Sequence, residues 1–200
     1  MIDFDKIWVE KYRPTTLDDI ILDKRTLKQV EEFKDEIPNL LFVGNPGTGK
    51  TTLARIIVND LLGCNYLYIN ASDESGIDTI RHNITNFAQT KSFDGKVKVV
   101  ILDEADGLTT QAQSALRNTM ETYAKYCRFI LTANYKHKII PALQSRCQSL
   151  DIKPVVELAV KRCYNILKNE KIKVPEEQKK KFIQLVKRHF PDLRKTINEL

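Results

Sequence analysis

The sequence predicts an α/β protein, in which a five-stranded parallel sheet is covered by helices and is followed by a small helical region. Two observations support this prediction. Short apolar runs alternate with helical periodicity over the first three quarters of the 200 residues, and the pattern changes to helices alone after Lys153-Pro154. No apolar run approaches the roughly 20 residues that a membrane-spanning helix requires.

The strands are predicted from five short apolar runs, which have the length that is typical of buried parallel strands. In chain order they lie at 39–43, 66–70, 97–103, 128–132 and 149–152. Helical periodicity predicts one helix over 50–62, ended by Gly63, and another over 111–124. Strands that alternate with helices in this way predict a parallel sheet, whose ligands bind at the carboxyl ends of the strands.

Three further helices are predicted beyond residue 153. The first runs from about Val155 to Glu170, and the second begins near Pro175, since proline suits the first helical position and two acids follow it. The third begins at Pro191-Asp192 and is still running at Leu200. We therefore predict a core at 1–153 and a helical lid at 154–200.

Charge and cysteine content indicate which partners the protein could bind and whether its cysteines are reduced. The formal net charge of +6 is typical either of a solvated basic face or of a protein that binds nucleic acid. The four cysteines lie far apart without a C-x-x-C pair, so we expect reduced, structural thiols and no zinc site. The first residues lack the cationic and apolar regions of a signal peptide, and we expect no export.

A phosphate-binding loop is predicted between the first strand and the first helix. The segment 44–51 reads GNPGTGKT and matches the P-loop pattern G-x-x-x-x-G-K-[ST]. Its glycines let backbone N–H groups converge on phosphate oxygens, and the helix that follows contributes its positive N-terminal end. Lys50 is expected to neutralise the β- and γ-phosphates of ATP, and the Thr51 hydroxyl to ligate Mg²⁺.

Two acids, Asp103 and Glu104, follow the third predicted strand. In P-loop enzymes the first such acid holds Mg²⁺, and a second carboxylate can orient and polarise the attacking water. The letters D-E-A-D at 103–106 also mark one helicase family, but those helicases need a second nucleotide-binding domain, for which this chain has no room. A D-x-x-G element at 73–76 suggests a GTPase, yet no N-K-x-D element follows it. The sequence therefore predicts ATP hydrolysis.

Asn134 and Arg146 each have two interpretations. Asn134 ends the fourth strand, where it either positions water near the γ-phosphate or begins the turn that follows. Arg146, in S-R-C at 145–147, is either an arginine finger for phosphoryl transfer or a surface arginine. Spacing alone leaves both alternatives open.

The order of these motifs resembles that of the AAA+ clamp-loader subunits, a family that includes the small subunits of replication factor C and the large clamp-loader subunit of T-even-type bacteriophages. The resembling segments are W-V-E-K-Y-R-P at 8–14, the P-loop, D-E-A-D at 103–106, T-A-N at 132–134, S-R-C at 145–147 and P-D-L-R-K at 191–195. The stretches 84–88 and 92–95 resemble the phage members in particular. The resemblance covers the whole chain and implies an Mg²⁺-dependent ATPase, stimulated by DNA and clamp, that opens a sliding clamp and places it on primer–template DNA.

The resemblance also implies roles that composition cannot assign. Residues that would line the adenine pocket are Val9, Glu10, Lys11, Tyr12 and Ile21, with Arg13 close by. Residues of the P-loop region that would bind ATP are Gly44, Gly47, Thr48, Gly49, Lys50, Thr51 and Thr52. Asn134 would be the sensor that positions water, Arg194 would reach the γ-phosphate from the lid, and Arg146 would reach the site of the neighbouring subunit.

Two helices are implied to connect ATP with DNA. Gln113 and Arg117 share one helix face, because they are four residues apart, and that helix would relay DNA contact to the neighbouring active site. The helix that begins near Gly76 would face the DNA backbone. Arg81 on this helix is either a phosphate contact or an exposed arginine, since phosphate contacts leave no signature beyond charge.

The resemblance implies a ring of clamp-loader subunits, with five members expected, that acts with a sliding clamp and primer–template DNA and without a membrane. Such a protein would be cytoplasmic, in the host cytoplasm if viral, or nuclear if eukaryotic. Two features depart from relatives: the helical collar domain is not present within these 200 residues, and the four-cysteine zinc module of the bacterial tau/gamma type is absent. Two alternatives are another AAA+ DNA motor, such as a branch-migration helicase, and a nucleotide-binding scaffold that does not hydrolyse ATP.

Overall fold

The computed structural model describes residues 7–72, 77–90 and 95–200. Within these residues, five parallel strands form one sheet in the order β2-β3-β4-β1-β5. The strands are β1 (Leu40–Val43), β2 (Tyr66–Asn70), β3 (Lys98–Asp103), β4 (Cys127–Ala133) and β5 (Gln148–Asp151). This confirms the predicted five-stranded parallel sheet, and each strand lies within a residue or so of its predicted range.

Helices on both faces of the sheet bury its apolar strands. In chain order the helices before residue 150 are α1 (Trp8–Lys11), α2 (Lys24–Glu31), α3 (Lys50–Ile56), α4 (Ile77–Gln89), α5 (Thr110–Thr122) and α6 (Pro141–Gln144). Side chains of α2 and α3 pack on one face, and side chains of α4 and α5 pack on the other. Strands that are covered on both faces need apolar residues at nearly every position, and every residue of β3 is accordingly buried.

Two helices differ from the sequence prediction. The predicted helix 50–62 consists of two parts: α3 ends at Ile56, and a π-helical turn over Ile57–Leu61 continues it. Helix α2 was not predicted, although its start is encoded by Asp23, whose side chain accepts hydrogen bonds from the backbone N–H groups of Arg25 and Thr26 at 2.9 and 3.0 Å. The D-x-x-G element at 73–76 and most of the phage-like segment 92–95 lie outside the described residues.

Three helices follow the sheet, α7 (Val156–Asn169), α8 (Lys179–His189) and α9 (Leu193–Asn198). Helix α9 ends two residues before Leu200, where the prediction had it still running, because the Glu199 N–H bonds back to Thr196 in a tighter turn. Ile21, from the N-terminal segment, packs with Ala159, Cys163 and Val186 of these helices. In the described part of the chain, no helix has the length and apolar character that crossing a membrane requires.

Candidate nucleotide-binding site

The P-loop connects β1, which lies between β4 and β5 in the sheet, to the start of α3. Gly47 has φ +75°, in the left-handed region that a residue with a Cβ adopts only at a cost. Its carbonyl oxygen accepts a hydrogen bond from the Leu193 N–H, at 3.0 Å, so the loop contacts the first residue of α9. The P-loop is therefore held on one side by the sheet and on the other by the last helix of the described chain.

Lys50 is buried, with 7% of its surface exposed, and its three hydrogen-bond acceptors are neutral oxygen atoms. Its Nζ donates to the carbonyl oxygens of Gly44 and Asn45, at 2.8 and 2.9 Å, and to Oδ1 of Asn134 at 2.8 Å. Burial lowers the pKa of Lys50, and the nearby carboxylate of Asp103 opposes that change. The predicted lysine and the predicted sensor asparagine are thus in direct contact.

Asp103 is buried at the end of β3 and accepts hydrogen bonds from three hydroxyl groups. Thr51 Oγ1 lies 2.8 and 2.9 Å from its two carboxylate oxygens, Thr132 Oγ1 lies 2.5 Å from Oδ1, and the Tyr68 hydroxyl lies 2.7 Å from Oδ2. Burial, with the bond to Asp103 adding to it, raises the pKa of Tyr68 to about 12, which keeps this phenol protonated as a donor. The two predicted magnesium ligands, Thr51 and Asp103, therefore lie together.

Glu104 is exposed and follows Asp103 directly, in a left-handed conformation with φ 56°. Its backbone N–H donates to Thr132 Oγ1 at 3.0 Å, which ties the end of β3 to β4. Asp106 extends this link, because its Oδ2 accepts from the N–H groups of Asn134 and Tyr135, each at 3.2 Å. The structure thereby brings Glu104 and Asn134 to the same edge of the sheet, and Asp106, to which the sequence assigned no role, connects them.

A cavity of about 260 Å³ opens beside the P-loop. The predicted residues that line it are Val9, Tyr12, Arg13, Ile21, Gly47, Thr48, Gly49, Lys50, Thr51, Thr52, Asp103 and Arg194. Those that sequence reasoning missed are Pro14, Ile20, Arg55, Tyr68, Arg162, Leu193 and Ile197. The cavity thus combines an apolar wall with several cationic side chains, which suits a nucleotide with its phosphates.

Two residues assigned to the adenine pocket lie outside the lining of this cavity. Glu10 forms an ion pair with Arg13 at 2.5 Å, and Lys11 forms one with Glu170 at 2.6 Å. Both side chains are directed to charged partners instead of the cavity, because α1 is a single short turn whose residues face different directions. The same Glu170 accepts from the Tyr12 hydroxyl at 2.7 Å, and this bond raises the pKa of Tyr12.

Arg162, on α7, is the most consequential residue that the sequence did not indicate. It lines the cavity, and its two terminal nitrogens donate to Asp19 Oδ1 at 3.0 Å and to the carbonyl oxygen of Tyr12 at 3.1 Å. These partners lie 143 and 150 residues away in the chain. No local pattern around Arg162 could therefore have predicted its contact with the N-terminal segment.

Gly44, Glu104 and Asn134 are also absent from the lining, although Gly44 and Asn134 contact Lys50 and Glu104 follows Asp103. Four other predicted residues have their contacts elsewhere. Arg146 is exposed and pairs with Glu121, at 2.5 Å from Nε to Oε1, while its Nη1 donates to the carbonyl oxygen of Ala142 at 2.7 Å. Arg81 is exposed on α4. Gln113 and Arg117, the predicted relay pair, both lie on α5.

Gln113 and Arg117 have different surroundings. Gln113 is buried, its Nε2 donates to the carbonyl oxygens of Leu108 and Lys138 at 3.1 and 2.8 Å, and its Oε1 accepts from the Ile140 N–H at 2.8 Å. It therefore joins α5 to the chain that follows β4. Arg117 is half-buried and donates to the neighbouring Asn118 side chain, at 2.8 Å from Nη2 to Oδ1.

The P-loop, the acidic end of β3 and the helical region that contacts the loop define the class of P-loop ATPases. The chain belongs to the ATPase family associated with various cellular activities (AAA), whose family model matches residues 40–154. Residues 151–200 match the model of the sliding-clamp-loader large subunit, AAA+ ATPase lid domain. The AAA+ clamp-loader resemblance stated from the sequence motifs is thereby confirmed.

Curated relatives extend the similarity over nearly the whole chain. The Replication factor C small subunit of Archaeoglobus fulgidus is 45% identical over 98% of this chain and 63% of that protein. The Replication factor C small subunit of Saccharolobus solfataricus is 46% identical, over 97% and 60%. Replication factor C subunit 3 of Saccharomyces cerevisiae is 43% identical, over 96% and 58%. The chain thus spans less than two thirds of the length of these relatives.

Among solved structures, the Thermotoga maritima RuvB Holliday junction branch migration motor superposes with a TM-score of 0.73, over 94% of this chain and 63% of that chain. The two sequences are 20% identical. This likeness confirms the predicted fold.

Proposed function

We propose that this chain is the ATP-hydrolysing part of a clamp-loader subunit, which uses ATP to open a sliding clamp and place it on primer–template DNA during replication. One observation carries the proposal. The cavity brings Lys50, the Thr51–Asp103 pair and Arg194 together in a chain whose relatives are named Replication factor C small subunits. The RuvB motors share only the fold at 20% identity, so they give the branch-migration alternative no comparable support.

ATP would lie between the P-loop and the N-terminal segment. The adenine fits against the apolar side chains of Val9 and Ile21 and the ring of Tyr12, all of which line the cavity. The phosphates fit at the P-loop, where Lys50 and Arg194 supply positive charge and the start of α3 supplies backbone N–H groups. Glu10 and Lys11 would contribute through the fold of α1, since their side chains pair with Arg13 and Glu170.

The Thr51 hydroxyl and the Asp103 carboxylate fit a magnesium ion, because Mg²⁺ prefers oxygen ligands and commonly uses one or two protein groups with phosphates and water. The described residues contain no cluster of three or more His, Cys, Asp or Glu side chains, so a dedicated all-protein site is not found there. When bound, Mg²⁺ neutralises charge on the β- and γ-phosphate oxygens. Thr51 and Asp103 already share a hydrogen bond; the Thr51 hydroxyl would ligate the ion, and the Asp103 carboxylate would hold it through its water shell.

Glu104 would orient and polarise the attacking water, since its carboxylate is exposed beside the magnesium ligand. Asn134 would position the same water, and its contact with Lys50 keeps its amide at the P-loop. Arg194 would report the γ-phosphate to the lid from the same subunit. Arg146 would act as the arginine finger of the neighbouring site, because its guanidinium lies apart from the cavity of its own chain.

The remaining parts of the proposal concern assembly and location. We divide the chain into a nucleotide-binding core at 1–153 and a lid at 154–200, and we place it in a ring of clamp-loader subunits that has five members. DNA would contact Arg81 on α4, and Gln113 with Arg117 would relay that contact along α5. Replication would place the ring in the cytoplasm, in the host cytoplasm for a viral chain, or in the nucleus.

The proposal is tested by separating ATP binding from hydrolysis. Lys50→Ala removes the ammonium at the P-loop and should abolish nucleotide binding or turnover. Glu104→Gln keeps the shape of the side chain but removes the carboxylate, so hydrolysis should fall by about 100-fold or more while ATP still binds. The measurements are phosphate release and the affinity for a fluorescent ATP analogue. Glu36→Gln makes the same change on an exposed acid elsewhere and should leave both unchanged.

Three results would each contradict a part of the proposal. Equal losses of binding and hydrolysis in Glu104→Gln would make this residue structural or part of the metal site. Turnover that responds to a four-way DNA junction, and not to a sliding clamp with primed DNA, would favour a branch-migration motor. Tight ATP binding without any phosphate release would favour a scaffold.

A further inference from the structure

Tyr68 and Arg55 both line the nucleotide cavity, and the functions assigned so far use neither of them. Tyr68 lies on β2, the edge strand that pairs with β3 so that Asn70 is opposite Asp103. Side chains two residues apart on a strand point to the same face, so Tyr68 lies on the same side of the sheet as Asp103. Arg55 follows Thr51 by four residues on α3, which covers that side.

Tyr68 and Asp103 on the sheet therefore face Thr51 and Arg55 on α3. The Tyr68 hydroxyl, on the neighbouring strand, donates to Asp103 Oδ2 at 2.7 Å, and Thr51 Oγ1, on α3, donates to the same oxygen at 2.9 Å. Thr132 donates to the other oxygen, Oδ1, at 2.5 Å. The carboxylate is consequently held from three directions by the donors in the described part of the chain, and Tyr68 is the donor from the edge strand.

Arg55 holds the ring of Tyr68 in turn. Its guanidinium carbon lies 4.8 Å from the centroid of the ring, within the range of a cation–π interaction. The ring also packs against the apolar cluster beneath α3, which leaves its hydroxyl as the end that is directed to Asp103. A phenol that is fixed at both its face and its edge has little freedom to turn away from the carboxylate.

We propose that Tyr68 is a positioning residue of the magnesium site: its hydroxyl fixes the orientation of the Asp103 carboxylate, and Arg55 fixes the ring that carries the hydroxyl. The inference rests on the proposed ATP site. A carboxylate rotates easily about its last torsion, so hydrogen bonds from neighbouring groups decide which way its oxygens point. Partners of this kind usually contribute about 10-fold to 100-fold in metal affinity.

The test is Tyr68→Phe in the full chain, since this change removes one hydroxyl and keeps the ring on which Arg55 stacks. A fluorescent ATP analogue is titrated in EDTA and then at increasing Mg²⁺ concentrations. We expect the Mg²⁺ midpoint for tightening of the analogue to rise by about 10-fold or more. The affinity in EDTA and the thermal unfolding midpoint should stay close to those of the unchanged chain. Mn²⁺ binding to the nucleotide complex, followed by electron paramagnetic resonance, should weaken in parallel.

Two further variants sharpen the result. Tyr66→Phe removes a hydroxyl two residues earlier on the same strand, where the side chain is 36% exposed and does not line the cavity, and should leave the midpoint unchanged. Arg55→Met keeps length but removes the cation, and should raise the midpoint less than Tyr68→Phe does. The double variant should match Tyr68→Phe alone, because Arg55 acts through the phenol.

The outcomes separate this inference from the proposed function. If Mg²⁺ does not tighten analogue binding to the unchanged chain, the proposed magnesium site fails and the role of Tyr68 fails with it. If Mg²⁺ does so and Tyr68→Phe has the same midpoint, only the role of Tyr68 is overturned. A variant that loses affinity in EDTA and unfolds earlier, with an unchanged Mg²⁺ midpoint, would show that the hydroxyl is purely structural.

Discussion

Gly47→Ala tests the contact between the P-loop and helix α9. A Cβ built on Gly47 would lie 1.9 Å from Asp192 Oδ1 and 2.5 Å from its Cγ, distances at which atoms cannot coexist. Residue 47 also has φ +75°. The substitution should therefore strain the loop and push away the N-terminal end of α9.

The cost can be estimated from what is lost. A residue with a Cβ in the left-handed region costs about 1–2 kcal/mol. Moving α9 breaks the hydrogen bond from the Leu193 N–H to the Gly47 carbonyl oxygen, which costs about 0.5–1.5 kcal/mol. It also disturbs Asp192, whose side chain caps α9 by accepting a hydrogen bond from the Lys195 N–H, and loss of this cap costs about 0.5–2 kcal/mol. Gly47→Ala should then lower the free energy of unfolding by roughly 2–5 kcal/mol.

Gly49→Ala is the matched control. Gly49 has φ +94°, yet a Cβ there would have no atom within 4 Å, so only the backbone cost of about 1–2 kcal/mol applies. Urea unfolding of both variants, without nucleotide, measures the difference. A double-mutant cycle with Asp192→Ala should show a coupling of about 0.5–3 kcal/mol with Gly47→Ala and none with Gly49→Ala. Equal losses in the two glycine variants, with additive effects of Asp192→Ala, would refute a direct contact between the P-loop and α9.

Two further predictions concern partners. Arg146→Ala should leave the ATP affinity of the isolated chain nearly intact but lower the DNA-stimulated hydrolysis of the assembled ring by about 10³-fold or more. Rings that mix this variant with Glu104→Gln should regain activity at interfaces where an intact Glu104 meets an intact Arg146. No recovery at any mixing ratio would mean that Arg146 acts within its own subunit. Arg81→Ala should weaken DNA binding evenly across DNA sequences, because a phosphate contact carries no sequence information. It should also reduce the slope of log affinity against log salt concentration by about one, as measured by fluorescence anisotropy. An unchanged slope would identify Arg81 as a solvated arginine.

The central part of the fold and site could be predicted from sequence because its signals are local. Buried parallel strands read as apolar runs, and the P-loop is a contiguous pattern, so the placement of Lys50 next to the end of β1 follows from a few residues. The meeting of Thr51 with Asp103 also follows, since both lie at the carboxyl edge of a parallel sheet.

Residues that belong to no recognisable motif could not be predicted, because only the packing of the fold brings them to the site. Tyr68 reads as an ordinary strand residue, and only the register of β2 against β3 brings its hydroxyl to Asp103. Arg162 reads as a helix arginine until α7 packs against the N-terminal segment. The start of α2, in contrast, could have been predicted, because Asp23 is a good N-cap residue and is visible in the sequence.

The cavity is built from residues both inside and outside the part of the chain that the AAA family model matches. The family model covers 40–154 and includes the P-loop with the acidic strand, which would bind phosphate and magnesium in the proposed site. The apolar wall lies outside that range, because Val9, Tyr12 and Ile21 precede it and Ile197 follows it. Within the wall, the N-terminal segment contacts the helical region directly, through Arg162 and through Glu170.

Any rotation of α7 relative to the sheet would strain the bonds from Arg162 to Asp19 and to the Tyr12 carbonyl. Because Arg162 and Tyr12 both line the cavity, the same rotation would reshape the space in which a base would lie. The contact between Leu193 and Gly47 couples α9 to the loop at the other end of that space. Hydrogen bonds at both ends of the cavity thus link the positions of α7 and α9 to its shape, in addition to the contact that Arg194 would make with the γ-phosphate in the proposed site.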